Sequence, residues 1–391
     1  AATRPGGTAP GGRDATAHRA RSAAPGPAVP TVAASAPADA PGWAAWRAGG
    51  PAHRGHPGRP GLAVSRTVLT IGVDVGGTSV RAGVVDAEGA VLDTARAPTP
   101  GQNEALESAI VGVIDELRER HDVRAVGLAL AGFITPDRRV VRFAPHLPWR
   151  GVPVADRLTA RCALPVVIEH DANAAALAER RFGAGAGAGS GSRSPARTSV
   201  FVALGTGIGA ALLIDGKLYR GAHGVAPELG HLRVVPDGRA CPCGKYGCWE
   251  RYCSGTALVT TLVELLAADP AASPTLARMA AVEARGITGR QVATAARDGD
   301  PLGRRAMAEL ARWLGEGLAL IADVYDPELV VIGGGVSGSA PLFLDEARDH
   351  YARVLTGGHH RPLARIRTAQ LGDEGGVIGA AQLAREQCGP R

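Results

Sequence analysis

One pattern constrains this chain more than any other: an apolar strand, a glycine-rich turn and a second apolar strand. The pattern occurs twice, over residues 68–85 and again over residues 199–214. Helical spacings and continuous apolar runs follow the first copy and recur after the second, and such runs are typical of buried parallel strands. The repetition therefore predicts two similar α/β lobes that face each other.

Both glycine turns have the composition of a phosphate-binding loop. The first reads Asp-Val-Gly-Gly-Thr at 74–78 and the second reads Gly-Thr-Gly-Ile-Gly at 205–209. Glycines let backbone N–H groups approach an anion, and threonines add hydroxyl donors. The chain has no G-x-x-x-x-G-K-[S/T] motif, and strands rather than helices follow the turns, which argues against a P-loop and a dinucleotide site. Either turn alone could be an ordinary hairpin, but two in mirrored places favour a nucleoside triphosphate cradle.

A carboxylate stands where a buried strand is predicted to end and a helix to begin, in Glu-His-Asp-Ala-Asn at 169–173. The C-terminal ends of strands carry the ligand chemistry of α/β proteins. Asp171 could accept the proton of an attacking hydroxyl there. An aspartate at this point is also a good helix N-cap, so that structural role stays open.

A cluster of thiols and one imidazole indicates a metal site. Its members are His231, Cys241, Cys243 and Cys248. Four such donors match tetrahedral zinc and leave no open position, so the sequence predicts a structural zinc ion, with free thiols as the alternative. Glu228 and Glu250 flank the donors and could accept hydrogen bonds from a molecule rich in hydroxyls, or could simply be solvated. Cys162, Cys253 and Cys388 have no partner at motif spacing and are interpreted as packing or bystander residues.

Charge and composition exclude several functional classes. The chain has a net charge of +6, but residues 1–64 hold seven Arg and two Asp and so contribute +5. The remainder is nearly neutral and shows no footprint for nucleic acid or an acidic membrane. Residues 1–65 are rich in Pro and Gly without apolar periodicity, which predicts a disordered tail. No apolar run approaches the ~18 residues that span a bilayer, and no signal peptide is recognised, so we expect a cytoplasmic protein.

Taken together, these motifs resemble the ROK family (repressors, open reading frames and sugar kinases), and within it the actinobacterial-type ATP-dependent glucokinases. The resemblance covers residues 67 to about 386. The motifs that carry it are D-V-G-G-T at 74–78, E-H-D-A-N at 169–173, L-G-T-G-I-G at 204–209, E-L-G-H at 228–231, C-P-C-G-K-Y-G-C-W-E at 241–250 and I-G-G-G-V at 332–336.

The resemblance implies a two-lobed α/β fold of the actin-like ATPase (ribonuclease H-like) type, with an interlobe cleft and a zinc-binding loop at 231–250. The small lobe would span 66–170 and regain the C-terminal helix at 373–391. The large lobe would span 171–372. Family members are commonly homodimers or homotetramers, and the same is expected here.

The resemblance also implies the site residues. Asp171 would be the base for the 6-hydroxyl of glucose, and Mg²⁺ would lie near Asp74. ATP would contact Asp74, Gly76, Gly77, Thr78, Gly205, Thr206, Gly207, Gly334, Gly335 and Val336. The sugar would contact Gly132, His170, Asp171, Glu228, His231 and Glu250. His231 would then serve twice, with one ring nitrogen on zinc and the other toward the sugar.

One departure leaves the sugar open. The family usually has Asn where this chain has His170, which is bulkier. A kinase for mannose, fructose or an N-acetylhexosamine is therefore an alternative, and polyphosphate is an alternative donor, although the family's polyphosphate users resemble this zinc loop poorly. A sugar-responsive repressor of the same family would need a helix-turn-helix ahead of the domain, which residues 1–64 do not supply.

Overall fold

The computed structural model describes residues 68–187, 196–282 and 286–388. The predicted disordered tail (1–65), residues 188–195 of a predicted flexible loop and the side chain of Cys388 lie outside the described residues. The strands are β1 (Leu69–Val75), β2 (Ser79–Val85), β3 (Val91–Pro98), β4 (Val123–Leu130), β5 (Phe133–Ile134), β6 (Val141–Phe143), β7 (Arg150–Val152), β8 (Val166–His170), β9 (Thr198–Leu204), β10 (Ile208–Ile214), β11 (Lys217–Tyr219), β12 (Leu329–Gly333) and β13 (Arg365–Thr368). The α-helices are α1 (Asn103–Arg118), α2 (Val154–Cys162), α3 (Asp171–Phe182), α4 (Gly255–Ala268), α5 (Pro274–Val282), α6 (Gly289–Arg297), α7 (Pro301–Tyr325), α8 (Leu344–Val354) and α9 (Gly375–Cys388).

Two five-stranded sheets share one topology. The first has the strand order β3-β2-β1-β4-β8 and the second the order β11-β10-β9-β12-β13. In each sheet the first three strands pair antiparallel through the glycine turn, and the last two pair parallel. The inner parallel strands β4 and β12 are almost wholly apolar and buried, as expected of strands covered on both faces. The repeated sequence pattern thus corresponds to a repeated sheet.

The first glycine turn is shorter than the sequence predicted. Strand β1 continues to Val75, so Asp74 is a strand residue paired with Arg81, and only residues 76–78 form the turn. Asp74 was predicted to lie in the turn because polar residues beside glycines usually mark loops. Its place on a rigid strand fixes the direction of its carboxylate more firmly than a loop would.

The C-terminal helix α9 packs unusually close to the first sheet because glycines line its path. Gly72 and Gly127 are register partners on β1 and β4, and a Cβ on them would lie 1.8 and 1.9 Å from carbonyl oxygens of α9. On the opposite side of α9, a Cβ on Gly379 would lie 1.7 Å from a carbonyl oxygen of α3. Helix α9 is therefore held between the first sheet and α3.

Helix α3 in turn packs against the second sheet. Ala172 and Ala176 on α3 share an apolar cluster with Phe201, Ala211 and Leu213 from β9 and β10. The stacked pair of α3 and α9 thus connects the two sheets. Since α3 begins at Asp171, this connection passes directly beside the residue predicted to be catalytic.

A small third sheet, which the sequence did not predict, lies beside the first. It has the order β5-β6-β7, and its strands are only two or three residues long. The turn between β5 and β6 contacts the free edge of β8, because the backbone N–H of Ile168 donates to the carbonyl oxygen of Arg138. Within the described residues, no helix combines the length and the apolar character that crossing a membrane requires.

Candidate active site

Asp74 lies at the C-terminal end of β1, where the first glycine turn begins. Its side chain is 15% exposed and forms an ion pair with Arg81 on β2. Burial raises the pKa of Asp74, the charge of Arg81 acts in the opposite direction, and the carboxylates of Asp171 and Asp373 raise it further. Gly376 on α9 leaves room for this carboxylate, since a Cβ there would lie 3.3 Å from Asp74 Cγ. Asp74 is thus a half-buried oxygen donor whose pKa is influenced by the charge of the predicted base.

The two glycine turns expose their donors. Gly76, Gly77 and Thr78 are all exposed, and so is Thr206 in the second turn. The second turn is held by the Gly205 N–H, which donates to the carbonyl oxygen of Gly207 at 3.0 Å. The Gly76 N–H donates in the same way to the carbonyl oxygen of Ser79 at 3.0 Å. Thr78 and Thr206 are the exposed hydroxyl residues that the two turns present to an anion.

The predicted adenosine-binding residues lie against the second turn. Gly334 has a φ of +80°, which favours glycine, and a Cβ there would lie 2.6 Å from the carbonyl oxygen of Leu204. Gly335 is exposed and Val336 is half-buried. A Cβ added to Gly255, whose N–H donates to the carbonyl oxygen of Gly205, would lie 3.5 Å from Val336 Cγ2. The structure thus places residues 334–336 next to the turn at 205–209.

Asp171 is the first residue of α3, and the N-cap position belongs to His170, whose side chain makes no capping hydrogen bond. The interpretation of Asp171 as the N-cap residue is therefore wrong, because the N-cap lies one residue earlier. The Asp171 carboxylate accepts from the backbone N–H of Ala172 at 2.7 Å and remains 45% exposed. His170 Nδ1 lies 3.2 Å from Asp171 Oδ1. The imidazole and the carboxylate are thus adjacent at the end of β8.

Glu228 meets this pair from the second sheet's side of the molecule. Burial raises the pKa of Glu228, the charges of His170 and His231 lower it, and the charges of Asp171 and Glu250 raise it. The four titratable residues that act on Glu228 lie between positions 170 and 250 of the sequence, and all are close enough to it to influence its pKa. Gly132 follows β4, and a Cβ there would lie 2.7 Å from the carbonyl oxygen of Phe143.

The four predicted metal ligands converge. The donor atoms of His231, Cys241, Cys243 and Cys248 all lie within 4.8 Å of one another. His231 Nδ1 is 3.7 Å from Cys241 Sγ, and the sulfurs of Cys243 and Cys248 are 3.6 Å apart. Tetrahedral zinc with bonds of about 2.0–2.3 Å separates its ligands by roughly 3.3–3.8 Å. The donor set and its spacing therefore fit zinc.

Local backbone geometry explains how the loop brings the thiols together. Gly244 and Gly247 have φ values of +89° and +74°, and a Cβ on Gly247 would lie 1.6 Å from the carbonyl oxygen of Val235. Burial raises the pKa of the Cys241 and Cys248 thiols. A bound cation would favour their thiolate forms and so offset the cost of burial.

Glu250 lies between the metal cluster and the second glycine turn. Its Oε1 accepts from Cys241 Sγ at 3.1 Å and lies 3.7 Å from His231 Nδ1. Its Oε2 accepts from the Ile208 N–H at 3.4 Å, and a Cβ on Gly207 would lie 2.4 Å from the same oxygen. The predicted sugar-binding carboxylate therefore also contacts the predicted phosphate turn.

Comparison with known proteins identifies the family. The sequence model of the ROK family matches residues 70–387. The chain belongs to the ROK family. A glucokinase of Streptomyces coelicolor is 45% identical over 318 residues, which cover 81% of this chain and 98% of that protein. A glucokinase of Halalkalibacterium halodurans is 32% identical over 331 residues, which cover 81% of this chain and 95% of that protein.

A solved ROK structure shares the fold. The crystal structure of a ROK family glucokinase from Streptomyces griseus in complex with glucose and AMPPNP matches with a TM-score of 0.71 at 45% identity, covering 81% of this chain and 99% of that chain. The prediction of a two-lobed, actin-like ATPase fold is thereby confirmed. We call the part built on the first sheet the first lobe and the part built on the second sheet the second lobe.

The sequence analysis did not predict a role for three charged residues that form one buried ion-pair network. Glu169 is fully buried and forms ion pairs with Arg138, at 2.6 Å, and with Arg220, at 3.1 Å. Glu169 stands inside the E-H-D-A-N motif, so a polar residue at a buried strand end was visible in the sequence. Its two partners are 31 and 51 residues away and lie in no motif.

Proposed function

We propose that this protein is a glucokinase, which transfers the γ-phosphoryl group of ATP to the 6-hydroxyl of glucose. One observation carries the proposal: the half-exposed carboxylate of Asp171 begins α3 directly after β8, with His170 Nδ1 3.2 Å away, and its charge raises the pKa of both Asp74 and Glu228. The names of the relatives support it, because the S. coelicolor protein is a glucokinase and the S. griseus structure is a complex with glucose and AMPPNP.

Asp171 acts as the base. Phosphoryl transfer passes through a loose transition state, so the enzyme mainly positions the groups and neutralises charge. The half-exposed carboxylate of Asp171 orients the 6-hydroxyl and takes its proton late in the reaction. Closure of the lobes around glucose expels water, which would otherwise compete as the phosphoryl acceptor.

The two turns hold the triphosphate. Asp74, Gly76, Gly77 and Thr78 serve from the first lobe, and Gly205, Thr206 and Gly207 serve from the second. Gly334, Gly335 and Val336 lie next to the second turn and hold the adenosine. Fixed N–H donors need no reorganisation when negative charge moves during transfer.

Asp74 fits a role in binding Mg²⁺. It offers oxygen donors, which this cation prefers, and the nearby charges of Asp171 and Asp373 add to the local negative potential. A bound Mg²⁺ would supply positive charge that neutralises the phosphates, and Asp74 is the residue that would hold it. The ion pair with Arg81 also keeps a cationic side chain beside this carboxylate.

The zinc site supports the sugar site. Structural zinc is held by His231, Cys241, Cys243 and Cys248, and four protein ligands leave no open position for chemistry. His231 turns Nδ1 toward the thiols, which leaves Nε2 available for a sugar hydroxyl. Zinc at this position would fix the imidazole ring as a hydrogen-bonding partner of glucose.

Glucose is bound by side chains from both lobes. Glu228, His231 and Glu250 approach from the second lobe, while Gly132, His170 and Asp171 approach from the first. Burial raises the pKa of Glu228, as expected of a carboxylate in a partly dry site.

The presence of His170, where the family usually has Asn, supports a second candidate function: a kinase for another hexose. Its imidazole lies beside Asp171 at 3.2 Å and therefore belongs to the sugar site. A coupled assay of the purified protein with glucose, mannose, fructose and N-acetylhexosamines, each with ATP and with polyphosphate, separates the alternatives. We expect the highest kcat/KM with glucose and ATP. A higher value with another hexose, or with polyphosphate, would contradict the proposed substrate pair.

Replacement of the base tests the mechanism. Asp171→Asn keeps the shape of the side chain but cannot accept the proton, so we expect kcat to fall by about 10²-fold or more while glucose affinity changes little. The matched control is Asp215→Asn, in an exposed turn where Asp215 pairs with Arg197 and its φ of +49° suits Asn. Near-normal turnover by Asp171→Asn would refute the assignment.

A further inference from the structure

A fully buried carboxylate fixes the strand end from which Asp171 projects. Glu169 is the penultimate residue of β8, two positions before Asp171, and its side chain has 0% exposure. Its Oε1 accepts from the His170 backbone N–H (2.9 Å), Asn173 Nδ2 (3.0 Å) and Arg220 Nε (3.1 Å), and its Oε2 accepts from Arg138 Nε (2.6 Å). A buried charge persists only when it is paired in this way. Any shift of these donors is therefore transmitted to the segment 169–171.

Arg220 reaches this carboxylate from the other lobe. It directly follows β11, an edge strand of the second sheet, and its side chain is 8% exposed. Besides Glu169, its guanidinium donates to the carbonyl oxygen of Pro136 at 2.9 Å and to that of Thr135 at 3.2 Å. All three acceptors belong to the first lobe. The rigid planar fork of arginine suits three acceptors in fixed directions, which a lysine ammonium cannot reproduce.

A backbone hydrogen bond joins Arg220 to the segment that leads to the predicted sugar-binding residue Glu228. Its carbonyl oxygen accepts from the Ala226 N–H at 3.1 Å, two residues before Glu228. Gly224, inside this loop, has a φ of +81°, and a Cβ there would lie 2.4 Å from the carbonyl oxygen of Ile134. The loop from Arg220 to Ala226 thus rests directly on the β5–β6 region of the first lobe.

We propose that Glu169 and Arg220 are positioning residues for phosphoryl transfer. Their buried ion pair sets the distance between Asp171, which directly follows β8 of the first sheet, and Glu228 and His231, which follow β11 of the second. This inference rests on the proposed function, and it assigns a catalytic consequence to two residues that touch neither glucose nor ATP. A displacement of about 1 Å between groups that act on one substrate can cost on the order of 10²-fold in rate.

Arg220→Lys tests the pair. The substitution keeps the positive charge and removes the planar fork, so we expect kcat/KM for glucose to fall by about 10- to 100-fold, with KM for ATP within about twofold of wild type. The matched control is Arg361→Lys, since Arg361 also pairs with carboxylates and a carbonyl oxygen, but all within the second lobe. We expect the control to keep wild-type kinetics. Thermal unfolding of each variant shows that the compared enzymes are folded.

A double-mutant cycle gives a second, independent measurement. Glu169→Gln leaves both Arg138 and Arg220 without their carboxylate, and Arg220→Gln leaves Glu169 with Arg138 as its remaining ion-pair partner. The double variant removes both members of the Glu169–Arg220 pair, so the cycle isolates the coupling between these two residues. We expect the combined loss in kcat/KM to be smaller than the product of the single losses. Calorimetric binding of glucose adds a readout that does not depend on turnover, and its affinity should also fall in the single variants.

The outcomes separate the positioning role from the proposed function. The inference is overturned if Arg220→Lys and Glu169→Gln lower only the melting temperature. Their kcat, KM and glucose affinity would then equal those of Arg361→Lys, and the pair would be merely structural. A wild-type protein that binds glucose without phosphorylating it would overturn the proposed function instead. In that case, a glucose affinity of Arg220→Lys equal to that of the wild type would still refute the proposal that Arg220 positions the sugar-binding residues.

Discussion

At the scale of single residues, the absence of one carbon atom decides how closely α9 approaches the first sheet. Gly127 is buried under α9, and a Cβ there would lie 1.9 Å from the carbonyl oxygen of Ala380, which is backbone and cannot rotate away. A contact below 3.0 Å requires the helix to move. Because α9 also touches α3, such a movement would disturb the helix that begins at Asp171.

Gly127→Ala tests this packing. We expect it to destabilise the fold by about 1–3 kcal/mol, since an added methyl group in a filled core forces the backbone to shift. The matched control is Gly112→Ala, on the exposed face of α1, where a Cβ would meet nothing within 4 Å. There we expect stabilisation of up to about 1 kcal/mol, because alanine is the better helix former. Denaturant unfolding measures both; equal midpoints for the two variants would contradict the packing argument.

At the scale of elements, the loop at 231–250 has little regular secondary structure of its own. Between His231 and Glu250 the described backbone contains only isolated bridges, Arg233–Cys248 and Ala240–Tyr246, and short turns. Its carboxyl end is anchored by Trp249, which is buried and donates its indole N–H to the carbonyl oxygen of Trp313. A few backbone hydrogen bonds cross the loop, such as those from the N–H groups of Val234 and Trp249 to the carbonyl oxygens of Gly247 and Leu232, both at 2.8 Å. A metal that joins residues 231–248 would add to these few contacts.

Cys243→Ser tests the zinc site without disturbing the core. Cys243 is exposed, whereas Cys241 and Cys248 are buried, so its replacement costs little packing and chiefly removes a ligand. We expect loss of zinc by elemental analysis, a lower melting temperature and a higher KM for glucose, because His231 loses its support. Cys162→Ala, a buried cysteine outside the cluster, should keep one zinc per chain. Zinc content and melting temperature equal to wild type in Cys243→Ser would refute the site.

The elements divide into those that the sequence predicts and those that it cannot. Strands such as β4 and helices such as α7 follow from local apolar patterns, which read the same in any context. Strands β5 to β7 are too short for a period, and they exist because β8 has an edge to cover. The Glu169–Arg220 pair joins positions 51 residues apart, and no local pattern encodes such a contact. Asp74 was assigned to a turn because neighbouring glycines mask the end of a strand.

At the scale of the whole molecule, two copies of one sheet are connected by a pair of helices. Glu179 on α3 strengthens this connection: its fully engaged carboxylate accepts from the N–H groups of Ala184, at 2.7 Å, and of Gln370 and Leu371, at 2.8 and 2.7 Å. The end of α3 is thus tied to the segment that leads into α9. The repeated sequence pattern predicts two lobes, but their relation is set by such long-range contacts.

The net positive charge of the chain is concentrated in its N-terminal residues. Residues 1–64 contribute +5 of the net +6, so the remaining chain is close to neutral. A polyanion should accordingly be attracted by the N-terminal residues and not by the catalytic part. This separation also distinguishes a kinase from a repressor, because a repressor needs its DNA-binding residues to act.

Removal of residues 1–64 measures that separation. We expect the truncated protein to keep kcat, both KM values and the melting temperature of the full chain, because every site residue lies at or beyond Asp74. We also expect its retention on a heparin column to fall, and that of the full chain to decline with salt, as electrostatic binding does. A variant that reverses charge in residues 1–64, with Arg replaced by Glu, should elute like the truncated protein while remaining fully active. Loss of turnover on truncation, or salt-resistant binding of DNA by residues 65–391, would show that the N-terminal segment and the kinase lobes do not act independently.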